Sequence, residues 1–309
     1  MNHVSIIMYH YVRPLKYSQY PGIKGLEFQK FKQQLDFIEK NYQVVTANEL
    51  IRSAANDDCR LPKDACLLTF DDGYRDHFDY VLPELLRRGL QGSFFPPAKC
   101  ITERTMLDVN KIHYILATCS NSEQLVTELE QLSLDNGIAE SDLIQYRQDA
   151  FFASRFDSSE VAYFKRMLQY LLEETLVQSI LEELFQKYVK RDMVNVADDL
   201  YMTKNEIRKL LESGMYVGSH TYSHKWLNRI PRVAQEREID LSLEFLTLIG
   251  APTKEWIMCY PYGGYNSDTL DILEERNCMV GLTTKPGVAN ISSQNRLELA
   301  RFDTNDLPQ

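Results

Sequence analysis

Three short segments of the sequence combine side chains that can hold a divalent cation or move a proton. Residues 69–74 (TFDDGY) contain adjacent carboxylates, residues 218–224 (GSHTYSH) contain two imidazoles four positions apart, and residues 260–266 (YPYGGYN) combine proline with paired glycines. One carboxylate and two imidazoles form a standard ligand set for a divalent metal that keeps open coordination positions. A second carboxylate beside that metal can act as a general base. Together, the three segments predict a metal-dependent hydrolytic site.

Each segment taken alone also has a plain structural explanation. An Asp-Asp-Gly sequence can be a solvated turn, and two histidines four positions apart can share an exposed helix face. Proline and glycine can simply end a strand. Each segment follows an apolar run, however, and the active residues of α/β barrels lie at the C-terminal ends of their strands. The combination therefore favours the catalytic interpretation.

The elements that must position these segments alternate along most of the chain. Short apolar runs predict strands at residues 4–9, 43–46, 65–70, 93–96, 215–219, 257–261, 280–283 and 297–302. Helical spacing of apolar residues predicts helices at 28–41 and 78–88, the second ending at Gly89. Thr203 and Glu206 form a capping box that begins another helix. This alternation is typical of an α/β fold with parallel strands.

Residues 99–200 interrupt the alternation and contain no convincing strand. Within them, residues 161–191 place apolar side chains three or four positions apart, which predicts one amphipathic helix or a closely spaced pair. We therefore expect three parts: residues 1–98 and 201–309 form a barrel, and residues 99–200 form a mainly helical insertion. The insertion could cover the site, select the molecule on which the site acts, or form a dimer interface.

Composition limits the partners of the chain. Its 309 residues carry a formal net charge of -10, which argues against nucleic acid because phosphate binding needs clustered lysine and arginine. No stretch approaches the roughly 20 apolar residues of a membrane span. The first residues, MNHVSIIMYHYVRP, lack the features of a signal peptide, so we expect a cytoplasmic protein. The six cysteines have no metal-binding spacing and are expected to be free thiols.

The motifs TFDDG, HTYSH and YPYG, in this order, resemble the first three motifs of the NodB-type polysaccharide deacetylases, carbohydrate esterase family four. The opening residues Met8–Tyr9–His10 are similar to the first strand of members that deacetylate exopolysaccharides. The resemblance covers residues 1–98 and 201–309. It implies a distorted (β/α) barrel, and a hydrolase that removes an N-acetyl group from an amino sugar of a surface glycan or its precursor.

The resemblance also assigns roles to residues of this chain. It implies that Asp71 is the catalytic base and that Asp72, His220 and His224 are the metal ligands. The metal of the family is usually zinc, with cobalt, manganese or nickel as alternatives. The turn at residues 261–262 (Pro261 and Tyr262) would donate a backbone N–H to the oxyanion and form a wall of the acetyl pocket.

Two departures from the family pattern concern catalysis. Many members carry arginine two positions before the Pro-Tyr pair, where this chain has Cys259. Arg301, on the last predicted strand, is the candidate to supply the missing guanidinium. The late histidine that acts as general acid is also absent, because no histidine follows His224. His10 is the candidate replacement, with a hydrogen-bonded structural histidine as the alternative.

Other functions and roles stay open at this point. A metal-dependent amidase with a non-sugar substrate is one alternative, and a non-catalytic glycan-binding protein is another. An N-acetylated saccharide is the expected partner of the deacetylase, and an oligomer is possible. His77 and His113 are expected to be structural. Aromatic side chains near the motifs could stack on sugar rings: Tyr74, Tyr222, Tyr262, Tyr265 and Trp226.

Overall fold

The computed structural model describes residues 2–56, 58–292 and 295–308, and the chain divides into two compact units. The first unit comprises Met1–Pro14, Gly25–Thr105 and Ala197–Gln309, and the second comprises Leu15–Lys24 and Met106–Val196. All three motif segments lie in the first unit. The division at residues 98 and 200 stays a prediction, since the compact units separate at other positions and include a short early segment in the second unit.

Over the described residues, every strand lies in the first unit. The strands are β1 (Asn2–Tyr9), β2 (Val12–Arg13), β3 (Leu26–Glu27), β4 (Gln43–Val44), β5 (Ala65–Asp71), β6 (Gly92–Phe95), β7 (Tyr216–Val217), β8 (Trp256–Cys259), β9 (Cys278–Leu282), β10 (Ala289–Ile291) and β11 (Phe302–Asp303). Strands β1, β5, β6 and β7 are neighbours in one sheet and pair in parallel, while β8 and β9 form a separate parallel pair. The predicted α/β fold class is confirmed.

Single bridges close these strands into a distorted barrel. A parallel bridge between Ser219 and Met258 connects the end of β7 to β8, and another between Leu282 and Leu299 connects β9 to the segment before β11. Strand β11 then pairs in parallel with β1. The predicted strand at residues 297–302 is wrong in extent, because the regular strand β11 begins only at Phe302. The residues before it pair with their neighbour through isolated hydrogen bonds.

The helices, in chain order, are α1 (Phe28–Asn41), α2 (Ala47–Ala55), α3 (Leu82–Arg88), α4 (Ala98–Thr102), α5 (Asp108–Thr118), α6 (Ser122–Asp135), α7 (Glu140–Ala150), α8 (Ser159–Arg166), α9 (Glu174–Tyr188), α10 (Met193–Leu200), α11 (Lys204–Glu212), α12 (Arg232–Ile249) and α13 (Ser267–Glu275). A π-helical turn at His77–Val81 precedes α3. Gly89 adopts the left-handed conformation expected after α3, and the capping box of Thr203 and Glu206 is present.

The barrel strands are buried on both faces, as the near-continuous apolar runs of the sequence indicated. Every residue of β5 is buried. One apolar cluster takes residues from seven different strands, among them Ile6, Leu67, Phe95, Ile257 and Val280. This packing fixes the strand ends from which the motif segments emerge.

The second unit is helical over its described residues. Helices α5 to α9 lie in it, and α10 contains the boundary with the first unit. The amphipathic stretch at residues 161–191 is a pair of helices, because Leu172 adopts an extended backbone after a π-helical turn and separates α8 from α9. The six cysteines are free thiols. Among the described residues, no helix combines the length and the apolar character that crossing a bilayer requires.

Candidate active site

The two adjacent carboxylates at the end of β5 face different surroundings. Asp72 Oδ1 lies 3.2 Å from His224 Nε2 and 3.4 Å from His220 Nε2. The Tyr74 hydroxyl donates a hydrogen bond of 2.7 Å to the other oxygen, Asp72 Oδ2. Burial acts to raise the pKa of the Asp72 carboxyl, but the two imidazoles hold it well below its usual range. This carboxylate is therefore ionised and directed at both imidazoles.

The orientation of His220 directs its Nε2 at Asp72. His220 Nδ1 lies 2.7 Å from the carbonyl oxygen of Cys259, and a carbonyl can only accept, so Nδ1 carries a proton. A neutral imidazole that donates from Nδ1 presents an unprotonated Nε2, which is the usual arrangement of a metal-binding histidine.

These three side chains fit a divalent metal. Their ligand atoms lie within 4.8 Å of one another, and all three residues are nearly or fully buried. Asp72 Oδ1 is a buried oxygen that has no hydrogen-bond partner among the described residues. A cation between the carboxylate and the imidazoles would satisfy this oxygen. We therefore regard the three residues as a candidate metal centre.

A second group of potential ligands, Asp71, His220 and Cys259, meets the same distance criterion but does not suit a metal. Both oxygens of Asp71 already contact a guanidinium. Burial raises the pKa of the Cys259 thiol, so the thiolate that a metal requires is disfavoured. Cys259 packs in an apolar cluster, and a protonated, buried thiol is a poor nucleophile.

Asp71 is held by Arg301, the residue that the sequence analysis named as a candidate. Arg301 Nη1 donates to Asp71 Oδ1 at 3.0 Å, and Arg301 Nη2 lies 2.9 Å from Asp71 Oδ2. The guanidinium also donates to the Thr283 carbonyl and the Thr69 hydroxyl. Burial acts to raise the pKa of the Asp71 carboxyl, but Arg301 and nearby imidazoles keep it below its ordinary value. The carboxylate is consequently both ionised and fixed in orientation.

His10 lies at the outer side of Asp71. Its Nε2 is 4.0 Å from Asp71 Oδ2, and its side chain is 41% exposed, whereas Asp71 is buried. The buried His77 donates from Nε2 to the His10 carbonyl oxygen at 2.8 Å, and burial lowers the pKa of His77 to about 4. A neutral His77 thus anchors the backbone of His10, whose imidazole is open to a ligand. The expected structural role of His77 agrees with these contacts.

The loop that carries both candidate histidine ligands is attached at several points. The backbone N–H groups of Ala98 and Lys99, in α4, donate to the carbonyls of Thr221 and Tyr222. The Glu238 carboxylate, on α12, accepts from the backbone N–H and the hydroxyl of Ser223. These contacts fix the turn between the two imidazoles.

The turn after β8 covers one side of the candidate metal centre. Tyr262 stacks on Trp226 with ring centroids 4.5 Å apart, and its ring meets His224 edge-on at 4.7 Å. Pro261 is buried and Tyr262 is half-buried. The turn lies beside His224, and its roles as a wall of the acetyl pocket and as an oxyanion donor stay predictions.

Four non-glycine residues of the site adopt left-handed backbone conformations. The φ angles are 72° for Asp72, 63° for Thr221, 61° for His224 and 57° for Tyr262. Such conformations cost about 1–3 kcal/mol each and persist only where surrounding contacts enforce them. The strain coincides with the candidate ligands and the pocket wall, which is where functional constraint would explain it.

Sequence reasoning missed several supporting residues. Tyr74 was one of the aromatic residues that could stack on a sugar ring, and the structure excludes this role, because its ring is fully buried and stacks on Tyr11 at 4.0 Å. Its actual contact is with Asp72. Glu238 was not considered at all, since a residue on a distant helix gives no local signal. The hydroxyls of Tyr222 and Tyr265 contact Glu103 and Glu298.

Comparison with known proteins agrees with this geometry. The family model described as "Polysaccharide deacetylase" matches residues 152–280, a stretch that contains His220, His224, Pro261 and Tyr262. The matched stretch, less than half of the chain, is similar to a polysaccharide deacetylase domain. The matched stretch begins inside the segment 99–200, which the motif resemblance left unexplained, and it does not reach Asp71 or Asp72.

One relative and two solved structures illustrate the likeness. YxkH of Bacillus subtilis strain 168, named as a polysaccharide deacetylase, is 31% identical over 91 residues, or 29% of this chain and 32% of that protein. The alignment therefore spans about a third of that relative. The Streptococcus pyogenes deacetylase PplD has a TM-score of 0.58 and 18% identity, over 97% of this chain and 92% of that chain. IcaB from Ammonifex degensii has a TM-score of 0.58 and 17% identity, over 98% and 92%. These structures share the fold.

Proposed function

We propose that the protein is a metal-dependent hydrolase that removes the N-acetyl group from an amino sugar of a surface glycan or its precursor. The observation that carries the proposal is the pair of differently held carboxylates at the end of β5. Asp72 faces two imidazoles with an unsatisfied buried oxygen, and Asp71, next to it, is fixed by Arg301. A ligand set beside a separately oriented base is what hydrolysis of an unactivated amide needs.

In this proposal, Asp72, His220 and His224 hold one divalent cation. Zinc suits a set of two imidazoles and a carboxylate, and cobalt, manganese or nickel could occupy the same ligands. When bound, the metal supplies Lewis acidity and makes a neighbouring water more acidic. Tyr74 and the Cys259 carbonyl orient two of the three ligands through their hydrogen bonds.

Asp71 is the proposed general base. A base must be ionised before it can accept a proton, and Arg301 favours the ionised form of Asp71. The bidentate contact also holds the carboxylate in one orientation, so it takes the water proton without first reorganising. Arg301 thus supplies the guanidinium that many family members carry at the position of Cys259 in this chain. This contact supports catalysis over a purely glycan-binding role.

His10 is the proposed general acid, which gives a proton to the leaving amine. Its exposed imidazole lies 4.0 Å from Asp71 Oδ2, so base and acid border the same space. Pro261 and Tyr262 form the wall of the proposed acetyl pocket, and the Tyr262 N–H is the proposed oxyanion donor. The solved structure of PplD is a complex with acetate, the second product of such a reaction.

Acetate release from N-acetylated sugars by metal-loaded protein tests the proposal, with Asp71→Asn as the matched variant. We expect release by the native chain and a loss of at least about 10²-fold in the variant, since a general base contributes on this scale. Metal content should be equal in both. Turnover that is indifferent to Asp71→Asn, or absent with every sugar despite a filled metal site, would refute the assignment.

A further inference from the structure

A cavity of about 390 Å³ adjoins the loop that carries Asp72, within the first unit. Its lining includes Tyr201 and Met202, which connect α10 to α11. The Met202 N–H donates to the Gly73 carbonyl at 3.0 Å, and Tyr201 forms an antiparallel bridge with Tyr74. One wall of the cavity is therefore hydrogen-bonded to the loop of the candidate metal ligand.

Another part of the lining connects the cavity to the loop that carries His220 and His224. Cys100 and Ile101 of α4 line the cavity, and the preceding residues of the same helix, Ala98 and Lys99, donate to carbonyls of the histidine loop at 3.2 and 2.8 Å. A ligand in the cavity would consequently lie against two segments that hold the candidate metal centre. None of the roles assigned above uses this space.

The lining is cationic, although the chain as a whole carries a net charge of -10. Three cations, Arg75, Arg104 and Lys204, face one carboxylate, Asp198. Arg104 contacts both oxygens of Asp198, while Arg75 contacts the carboxylate of Glu206 at 3.1 Å. Within the described part of the chain, the Lys204 ammonium has no ion pair or hydrogen bond. One positive charge of this group is thus left without compensation.

The cavity also meets the start of a helix. Thr203 and Lys204 line it and are the N-cap and first residue of α11, a helix of 9 residues. The Thr203 hydroxyl accepts from the Glu206 N–H, and the Glu206 carboxylate accepts from the Thr203 N–H. The N–H groups of the first two residues of a helix have no acceptor within it and carry a partial positive charge, which favours an anion nearby. The Lys204 ammonium, the ion-paired guanidinium groups of Arg75 and Arg104, and the start of α11 therefore converge on one space.

We propose that this cationic cavity binds the phosphate or diphosphate of a phosphate-bearing N-acetylated sugar. Arginine forks and a lysine point charge are the usual side-chain partners of phosphate oxygens, and the volume is sufficient for a diphosphate. The proposal rests on the proposed deacetylase function, and it names a sugar phosphate or a nucleoside diphosphate sugar as the substrate class. Free inorganic phosphate has the same chemistry and is the other source of such an anion.

Calorimetric titration with inorganic phosphate, diphosphate and uridine diphosphate N-acetylglucosamine tests the cavity directly. All titrations use protein that carries Asp71→Asn, which removes turnover. This protein is compared with a version that also carries the double substitution Lys204→Gln and Arg104→Gln. Lys209→Gln is the matched control, because it removes a charge from the same helix outside the cavity lining. We expect the double substitution to weaken binding about tenfold or more, and the control to leave it within about twofold. Absence of binding, or equal effects of both sets, would overturn the proposal.

Kinetics then identify the source of the phosphate. If the substrate carries it, Lys204→Gln raises KM for the nucleoside diphosphate sugar and leaves KM for a neutral N-acetylated sugar unchanged. If free phosphate occupies the cavity, added phosphate changes the turnover of the neutral sugar in native protein and has no effect in Lys204→Gln. Either result supports phosphate binding in the cavity. The proposal is contradicted if native protein and Lys204→Gln have identical kinetics with the nucleoside diphosphate sugar, with the neutral sugar, and with the neutral sugar plus phosphate. A failure of the deacetylase assignment is separately visible, since it removes acetate release and leaves the calorimetric binding intact.

Discussion

The two halves of the candidate site differ in how each carboxylate is neutralised. On one side, Asp71 receives a permanent cation, the Arg301 guanidinium, through two contacts of about 3 Å. On the other side, Asp72 faces two imidazoles, and its Oδ1 has no hydrogen-bond partner among the described residues. Adjacent residues of the same type thus acquire different chemistry from their surroundings. The half that contains Asp71 already has a base that is ionised and fixed in orientation. The half that contains Asp72 needs a bound cation to neutralise its carboxylate.

The largest expected effect comes from substituting Asp72. Asp72→Asn removes the charged ligand of the candidate metal centre, so the metal content should fall to background and turnover by at least about 10³-fold. Metal analysis after gel filtration and an acetate assay measure both effects. Asp71→Asn is the matched neighbour and should keep its metal. If both variants kept the metal equally, the distinction between the two halves would be wrong.

Substitution of His10 tests the outer side of the Asp71 half. His10→Ala should lower turnover by about 10²–10⁴-fold and leave metal content unchanged, since the proposed role is proton transfer. The acetate assay and metal analysis of the same preparations check this result. Loss of metal from His10→Ala would instead place this histidine with the Asp72 half.

Removal of the guanidinium tests the inner side of the same half. Arg301→Met should lower turnover by about 10²-fold and shift the acidic limb of the pH–rate profile to higher pH. The sign follows because Arg301 lowers the pKa of Asp71, so without it the base becomes protonated at a less acidic pH. An unfolding titration is needed beside the pH profile, since an unpaired buried carboxylate costs about 3–5 kcal/mol of stability. A profile that keeps its acidic limb would contradict the assigned role of Arg301.

The smallest expected effect concerns a residue that orients a ligand. Tyr74→Phe removes the hydrogen bond to Asp72 Oδ2 and should weaken metal binding about tenfold, with most turnover restored at saturating metal. Chelator competition followed by re-addition of metal measures this effect. A variant that binds metal as tightly as the native chain would show that Asp72 is oriented by the backbone alone.

The candidate metal centre was predictable because its residues stand in compact local patterns. The spacing of His220 and His224 and their place after an apolar run are visible in the sequence. Arg301 could be named only because the usual position holds Cys259 and a nearby strand offered a cation. Tyr74 and Glu238 were out of reach, since their roles depend on contacts that form only when distant elements pack.

The fold was predictable to a similar degree, and the prediction of one strand failed for a related reason. Strands β1, β5 and β6 were found within two residues because each contains a run that is mainly apolar. The segment 297–302 is also apolar at four of its six positions but pairs through isolated hydrogen bonds. Apolar runs indicate burial, and they do not distinguish a regular ladder from an extended segment that only closes a barrel.

The left-handed backbones of Asp72, Thr221, His224 and Tyr262 have a consequence for how this protein would respond to directed evolution. Glycine tolerates those φ angles better than the native side chains do, so glycine in place of Asp72 or His224 can relieve strain while removing a ligand. A selection for heat resistance alone would then reward the loss of catalysis. We expect thermostable survivors of such a selection to accumulate changes in these loops first, unless acetate release is selected in the same round.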